Sequence, residues 1–527
     1  MSRAKSTTIA GAAAARPGAV LAVMCLAVFA VNVDTTIVNV TLPTLVRDLD
    51  ATTRELQWIV DAYLLVFAAL VLAGGSLSDR FGRRATLLVG LAVFGLANAA
   101  AGLCETPEQL IAARAVAGIG AAAVFPTTLS ILSQVFTDRA ERAKAIGLWG
   151  ASGGLAVAFG PVTGGALLEQ FWWGSTFLAK VPVALLAIAL VLRWVPESRD
   201  PAAPRLDVPG LVLSALALVA LVFTIIEAPE RGWISSPTLG GFVLSVLLFI
   251  GFVRREERTA EPLLDLALFR DRRFTAASLA ITIAFFALFG FIFLITQYFQ
   301  FVRGYGALEA GVRTLPVALC IAVGSVAGTM LVVRLGNKLV VTAGLLSLSI
   351  AYAWSSTASA STGYGEIVCQ MVFLGLGMGL TSAPATESIM GAVQTEKAGV
   401  GSAVNDATRE VGGTLGVAVI GSVFASLYAA DVVEVSGQLP EGVVETAAES
   451  IGAASLLAAE LPGGPAQALR AAAEAGFFSG LQAGCLVASG LALFGAVVVA
   501  RALPARPAEL RPDPSSTPSG DRLSGAR

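Results

Sequence analysis

Apolar runs long enough to cross a bilayer recur from one end of the chain to the other, separated by short polar segments. They fall at about 18–42, 57–77, 85–103, 108–133, 145–168, 175–194, 209–227, 238–253, 274–297, 310–333, 338–356, 366–390, 399–428 and 478–500. A helix rises 1.5 Å per residue and needs roughly 20 residues to span the hydrocarbon, so the pattern predicts fourteen transmembrane helices. Composition agrees. Of 527 residues, 56% are hydrophobic and 14% charged, where soluble domains carry about a quarter charged. Mean hydropathy is +0.77.

Charge fixes the orientation. With the N-terminus in the cytoplasm, 26 of the 35 Lys and Arg fall on the cytoplasmic side and 6 in the outer loops, as the positive-inside rule requires. An even number of helices puts both termini in the cytoplasm, in a multi-pass protein of the cytoplasmic membrane. Asp34 near the end of the first span, with thirteen spans following, marks that span as an uncleaved helix, not a signal peptide. The outer loop at about 429–477 is acidic and rich in Ala and Gly, and is expected to form a solvated, partly helical cap. The tail 501–527 reads as disordered.

Five cysteines (Cys25, Cys104, Cys320, Cys369 and Cys485) lie in or beside apolar spans without a CxxC pair, as packing residues do. The chain has no histidine. Proton traffic must therefore run on carboxylates, and an imidazole-based metal or hydrolytic site is excluded. Neither a metal site nor a nucleic-acid partner is expected.

An internal repeat organises the spans. "GGSLSDRFGRR" at 74–84 returns 254 residues later as "GTMLVVRLGNK" at 328–338, with Gly82 matching Gly336 and Asp79 replaced by Val333. Two related halves are a common plan for secondary transporters. The expected division is a cytoplasmic segment 1–17, a six-helix bundle 18–200, two additional helices with a linker 201–273, a second six-helix bundle 274–500, and the tail.

At these residues the chain resembles the major facilitator superfamily, and within it the fourteen-helix drug:proton antiporters. "GGSLSDRFGRR" resembles the family's loop between helices 2 and 3, and "LIAARAVAGIGAA" (110–122) its helix-4 pattern with a membrane arginine. "GASGGLAVAFGPVTGG" (150–165) resembles the helix-5 antiporter motif, and "VDTTIVNVTLP" (33–43) the helix-1 signature. "QWIVDAYLL" (57–65) and "FWWGSTFLAKVP" (171–182) look closest to the quaternary-ammonium and dye exporters. The resemblance implies an all-α major facilitator fold, fourteen helices as two six-helix bundles plus two extra.

The motifs carry their own chemistry. In the first, Gly75, Asp79, Arg80, Gly82, Arg83 and Arg84 make a tight turn in which Asp79 can pair with Arg83. The resemblance implies a cytoplasmic gate; the plainer reading is a turn flanked by positive-inside residues. In the antiporter helix, Gly150, Gly154, Gly160, Gly164 and Gly165 permit close helix approach, and Pro161 removes a backbone hydrogen bond and bends the helix. Dense packing alone also explains those glycines.

Ionisable groups inside a bilayer are costly and usually functional. Asp34, Arg114 and Asp61 fall about 12, 9 and 6 Å below the outer face at 1.5 Å per residue, at similar depth in one bundle. Arg114 is expected to pair with Asp34, as a switch that a proton or cation contests or as a permanent structural pair. Lys180 stands where the family usually has Asn. It either snorkels to the headgroups, the cheaper arrangement, or neutralises one of the acids. In the second half Asp406 and Glu410 share a helix face, with Arg409 in reach of Asp406 at i+3. Either the three charges neutralise one another and stabilise the helix end, or one acid pairs with Arg409 and leaves the other as a proton or cation site. Phe285, Phe289 and Phe293 form a stripe at i, i+4 and i+8 that suits cation–π binding, packing or lipid contact.

The sequence thus predicts a proton-driven exporter of amphipathic, mostly cationic compounds, monomeric, without a cofactor, working by alternating access. The alternatives are a dedicated exporter of one antibiotic or metabolite, a passive facilitator, or a non-transporting sensor. An enzyme is disfavoured because no nucleophile–base set or metal cluster is present.

Overall fold

A computed structural model describes residues 16–199, 206–393, 398–435 and 440–504. Most of the predicted N-terminal segment and of the tail, residues 1–15 and 505–527, lies outside the described residues. Among the described residues there is no strand, and fourteen helices are long and apolar enough to cross a membrane.

The first bundle comprises α1 (Pro17–Leu49), α2 (Thr53–Phe81), α3 (Arg83–Ala101), α4 (Pro107–Val135), α5 (Arg139–Gln170), the short α6 (Ser175–Leu178) and α7 (Lys180–Trp194). The extra pair is α8 (Val208–Arg231) and α9 (Ser236–Arg258). The second bundle comprises α10 (Arg272–Gln297), α11 (Ala307–Leu335), α12 (Asn337–Ser355), α13 (Tyr364–Ala392), α14 (Ala398–Val435) and, beyond α15 (Glu441–Glu449) and α16 (Ile451–Glu460), α17 (Gly463–Ala502). Helix starts follow local chemistry. Pro17, Pro107, Pro209 and Pro237 sit in first turns, where a missing N–H costs nothing. Thr52 and Glu55 form a reciprocal capping box at α2. The sixth predicted span is broken at Ala179, so it appears as α6 and α7.

Each bundle packs mainly on itself, and the α8–α9 hairpin lies against α2 and α14. The repeat is visible in the backbone. Gly82 and Gly336 adopt φ of 111° and 81°, where a side chain is strained. The residue after each glycine then reaches a serine: Arg83 Nε donates to Ser130 Oγ at 2.6 Å, and the Asn337 amide donates to Ser388 Oγ.

The bundles meet through α2 with α14 and α5 with α11. The Gln57 amide reaches Ser422 Oγ at 3.5 Å, and the Gln300 amide donates to the Val40 carbonyl at 3.0 Å. A Cβ on Gly165 would stand 2.5 Å from Leu308 Cα, and one on Gly311 would collide with the Pro161 carbonyl. These contacts lie at the end of the molecule far from the Asp79–Arg83 turn.

The predicted outer cap needs correcting. It is helical, but α14 and α17 extend into it and it is not solvated throughout. Ile451, Gly452, Ala454 and Ala458 are buried, with Gly452 seated between Val46 and Phe301. Its apolar face covers the far ends of both bundles, so the acidic composition describes only the outward side.

Candidate functional site

Asp34 sits in the middle of α1 and is fully buried. One carboxylate oxygen is ion-paired with Arg114 of α4 and the other with Lys180, the first residue of α7. Arg114 also donates from Nε to the Ile59 carbonyl of α2 at 3.0 Å and lies over the Tyr63 ring, 4.4 Å from its centroid. The break at Ala179 starts α7 at Lys180, whose ammonium rests 4.5 Å from the centre of the Phe177 ring. Four helices therefore converge on one carboxylate. Lys180 is only 4% exposed. It does not snorkel, because the partner it finds inside is a carboxylate.

Asp61 is also fully buried, but it is not part of that cluster. Neither of its oxygens has a hydrogen-bond partner. One turn before it, Gln57 reaches Ser422; one turn after it, Leu65 packs with Val222, Ile225, Ile226 and Ala418. Arg114 instead approaches the face bearing Ile59 and Tyr63. Depth along the chain suggested one group of three; the helical phase of α2 turns Asp61 toward the α8–α14 seam instead.

In the second bundle Asp406 and Glu410 are one turn apart on α14. Asp406 Oδ1 accepts from the Asn405 amide at 3.3 Å, while Asp406 Oδ2 and Glu410 Oε2 are buried without partners. Arg409 pairs with neither acid, contrary to the sequence expectation. It turns toward α13 and α10, reaching Thr386 Oγ1 at 3.3 Å and lying 5.2 Å from the Phe285 ring centre. Phe285 and Phe289 stack at 6.4 Å, and the Phe289 ring lies against the bare backbone of Gly413. Phe293 is fully buried in the core, further along α10.

At the basic end, Asp79 Oδ1 accepts from Arg83 Nη2 at 2.6 Å and Nε at 2.9 Å, with Ser130 Oγ at 3.2 Å. The Arg84 guanidinium donates to the Leu192 carbonyl at 2.7 Å, and Arg80 is exposed beside Phe81. Gly75 has room, 3.7 Å from Pro126 Cβ; the close approach to α4 is at Gly74. Along α5, Gly160 and Gly164 meet Thr36 and Ile37 of α1, whereas Gly150 and Gly154 have nothing within 4 Å. Packing thus accounts for the far-end glycines of the motif and not for those nearer the basic end.

The sequence model of the Major Facilitator Superfamily matches residues 24–417. The chain belongs to the major facilitator superfamily. It is 36% identical over 479 residues to the "Multidrug efflux pump LfrA" of Mycolicibacterium smegmatis, covering 91% of this chain and 95% of that one. It is 34% identical over 514 residues to the "Tetracenomycin C resistance and export protein" of Streptomyces glaucescens, covering 96% and 95%. In fold it is similar to a bacterial homolog of the human lysosomal transporter Spinster, with a TM-score of 0.64 at 17% identity over 92% of this chain and 97% of that chain. By family, this major facilitator protein is a multi-pass membrane transporter. Residues that sequence reasoning missed are Tyr63, Ser130 and Thr386. Each is a polar neighbour on a helix distant in the chain from the charge it meets.

Proposed function

We propose that this chain exports amphipathic, mostly cationic compounds across the cell membrane in exchange for protons, by alternating access. The observation that carries the reading is the pair Asp406, buried, and Glu410, partly buried, in a membrane helix with an arginine between them that forms an ion pair with neither. A membrane-buried carboxyl without a counter-charge is costly and marks an ion path. A carboxyl that takes either a proton or a cation, and not both, couples opposite flows of the two. We assign the exchanging proton to Glu410, because Asn405 already donates to Asp406.

The Phe285 and Phe289 rings supply an aromatic wall beside these acids, and Arg409 already rests on the Phe285 face as a cation would. A substrate cation binds there by displacing that guanidinium. Similarity to a multidrug efflux pump over nearly the whole chain supports export. The distribution of Lys and Arg supports cytoplasmic termini, with the Asp79–Arg83 turn as the inner gate. The single chain is the transporting unit, and the proton gradient drives it without a cofactor. Each net charge moved gains or costs about 2.3 kcal/mol per 100 mV.

Inside-out vesicles loaded with a fluorescent cationic dye test this reading. Dye uptake should follow an imposed proton gradient and stop when the gradient is collapsed. Uptake indifferent to the gradient contradicts it. The export of a single antibiotic is a second reading, favoured by the similarity to the tetracenomycin C exporter. A panel of unrelated cations separates the two: broad uptake supports the first, and rejection of all but one compound the second.

A further inference from the structure

Lys180 is a buried charge that the proposed exchange does not use. Its ammonium and the Arg114 guanidinium each take one oxygen of Asp34, and all three residues are almost wholly buried. One carboxylate facing two cations leaves this cluster with a net charge of +1 in a medium of low dielectric, where an uncompensated charge is expensive. Arg114 alone would have balanced Asp34. The second cation is therefore surplus to pairing, and it closes the one carboxylate oxygen that Arg114 leaves open.

We infer that Lys180 is a built-in counter-cation which occupies, at Asp34, the place a substrate cation or a proton would take, and so confines exchange to the other membrane carboxyls. This rests on the export of cations proposed above. It makes Lys180 a residue that determines specificity: the first bundle repels a cation near Asp34, and the carboxyls without a basic partner, Asp61, Asp406 and Glu410, remain to admit one.

The first arm of the test is labelling with dicyclohexylcarbodiimide, an apolar reagent that adds to membrane carboxyls able to take a proton on an oxygen that no basic group closes. The labelled residues are mapped by mass spectrometry in the full-length protein. In wild type, Asp34 should remain unlabelled while Asp406 or Glu410 reacts. Lys180→Met leaves Asp34 and Arg114 as a balanced pair, so the fold is retained. In it, Asp34 should be labelled at least about tenfold faster, the ratio that a shift of ~1.4 kcal/mol produces. Lys180→Arg keeps the charge and should stay unlabelled.

The second arm adds tetraphenylphosphonium before the reagent. It should protect Asp406 or Glu410 in wild type, and protect Asp34 only in Lys180→Met. Asp34 labelled equally in wild type and Lys180→Met, or unlabelled in both, overturns the inference. So does protection of Asp34 by the cation in wild type. If the cation protects no carboxyl in any protein, the cation-export reading fails, while the contrast between Lys180→Met and Lys180→Arg still decides the role of Lys180.

Discussion

Asp406 and Glu410 share one face of α14, and neither is paired with Arg409, the arginine that lies between them in the chain. Glu410→Gln keeps the shape and removes the proton site. It should reduce gradient-driven dye transport by about tenfold or more, in line with losing a general acid–base group. Asp406→Asn, whose partner Asn405 remains, should cost less. Initial rates in inside-out vesicles at matched protein amounts give the comparison. Equal losses would show that the acids act as one coupled pair.

The Asp34 cluster predicts an asymmetry in stability. Asp34→Asn leaves Arg114 and Lys180 buried without a counter-charge and should destabilise the protein by about 3–5 kcal/mol. Lys180→Met leaves a neutral pair and should be close to neutral. Thermal unfolding in detergent measures both. A Lys180→Met variant as unstable as Asp34→Asn contradicts the assignment of Lys180 as the surplus charge.

The glycines of α5 and α11 separate packing from clearance. Gly311→Ala would drive a methyl into the Pro161 carbonyl, and Gly165→Ala into Leu308. Both should open the far-end seam and lower stability and transport together. Gly150→Ala and Gly154→Ala meet nothing within 4 Å, and alanine favours the helix by about 0.5–1 kcal/mol. They should be at least as stable as wild type. Any transport defect in them reports on motion, and thermal unfolding alongside vesicle uptake makes the distinction.

How much of this was legible follows from what each feature depends on. Fourteen spans, the repeat and the buried carboxyls are one-dimensional signals, because the bilayer demands long apolar helices and makes every interior charge conspicuous. Helical phase is not. Asp61 matched Asp34 in depth, yet α2 turns it to the seam beside Leu65 and Gln57. Rotamer choice is not legible either: Arg409 at i+3 from Asp406 was within reach, and instead lies over Phe285 on another helix. For Lys180 the sequence leaves snorkelling and neutralising an acid both open, because it does not show whether an interior partner is in reach. The partner lies 146 residues away in sequence.

Acid should loosen the α8–α9 hairpin. Asp207, just before α8, accepts from Arg255 Nη2 at 3.0 Å and Nε at 3.2 Å. Hydrogen bonding from Arg255 holds its carboxyl below the usual carboxylate range, against the opposing effect of burial. A lowered folded value means the stabilisation is present above the unfolded value of about 3.9 and is lost as pH falls through the folded one. Asp207→Asn should therefore cost about 1–3 kcal/mol near pH 7, and the gap to wild type should close below about pH 4. Unfolding of both proteins across that range is the check.

The central claim is that one buried carboxyl of α14 carries either a proton or a substrate cation. Proton release from the purified protein in weakly buffered detergent measures this directly when tetraphenylphosphonium is added. The account predicts that cation binding expels protons, and that Asp406→Asn combined with Glu410→Gln abolishes the release. Cation binding without proton release, or release undiminished in the double variant, would contradict it.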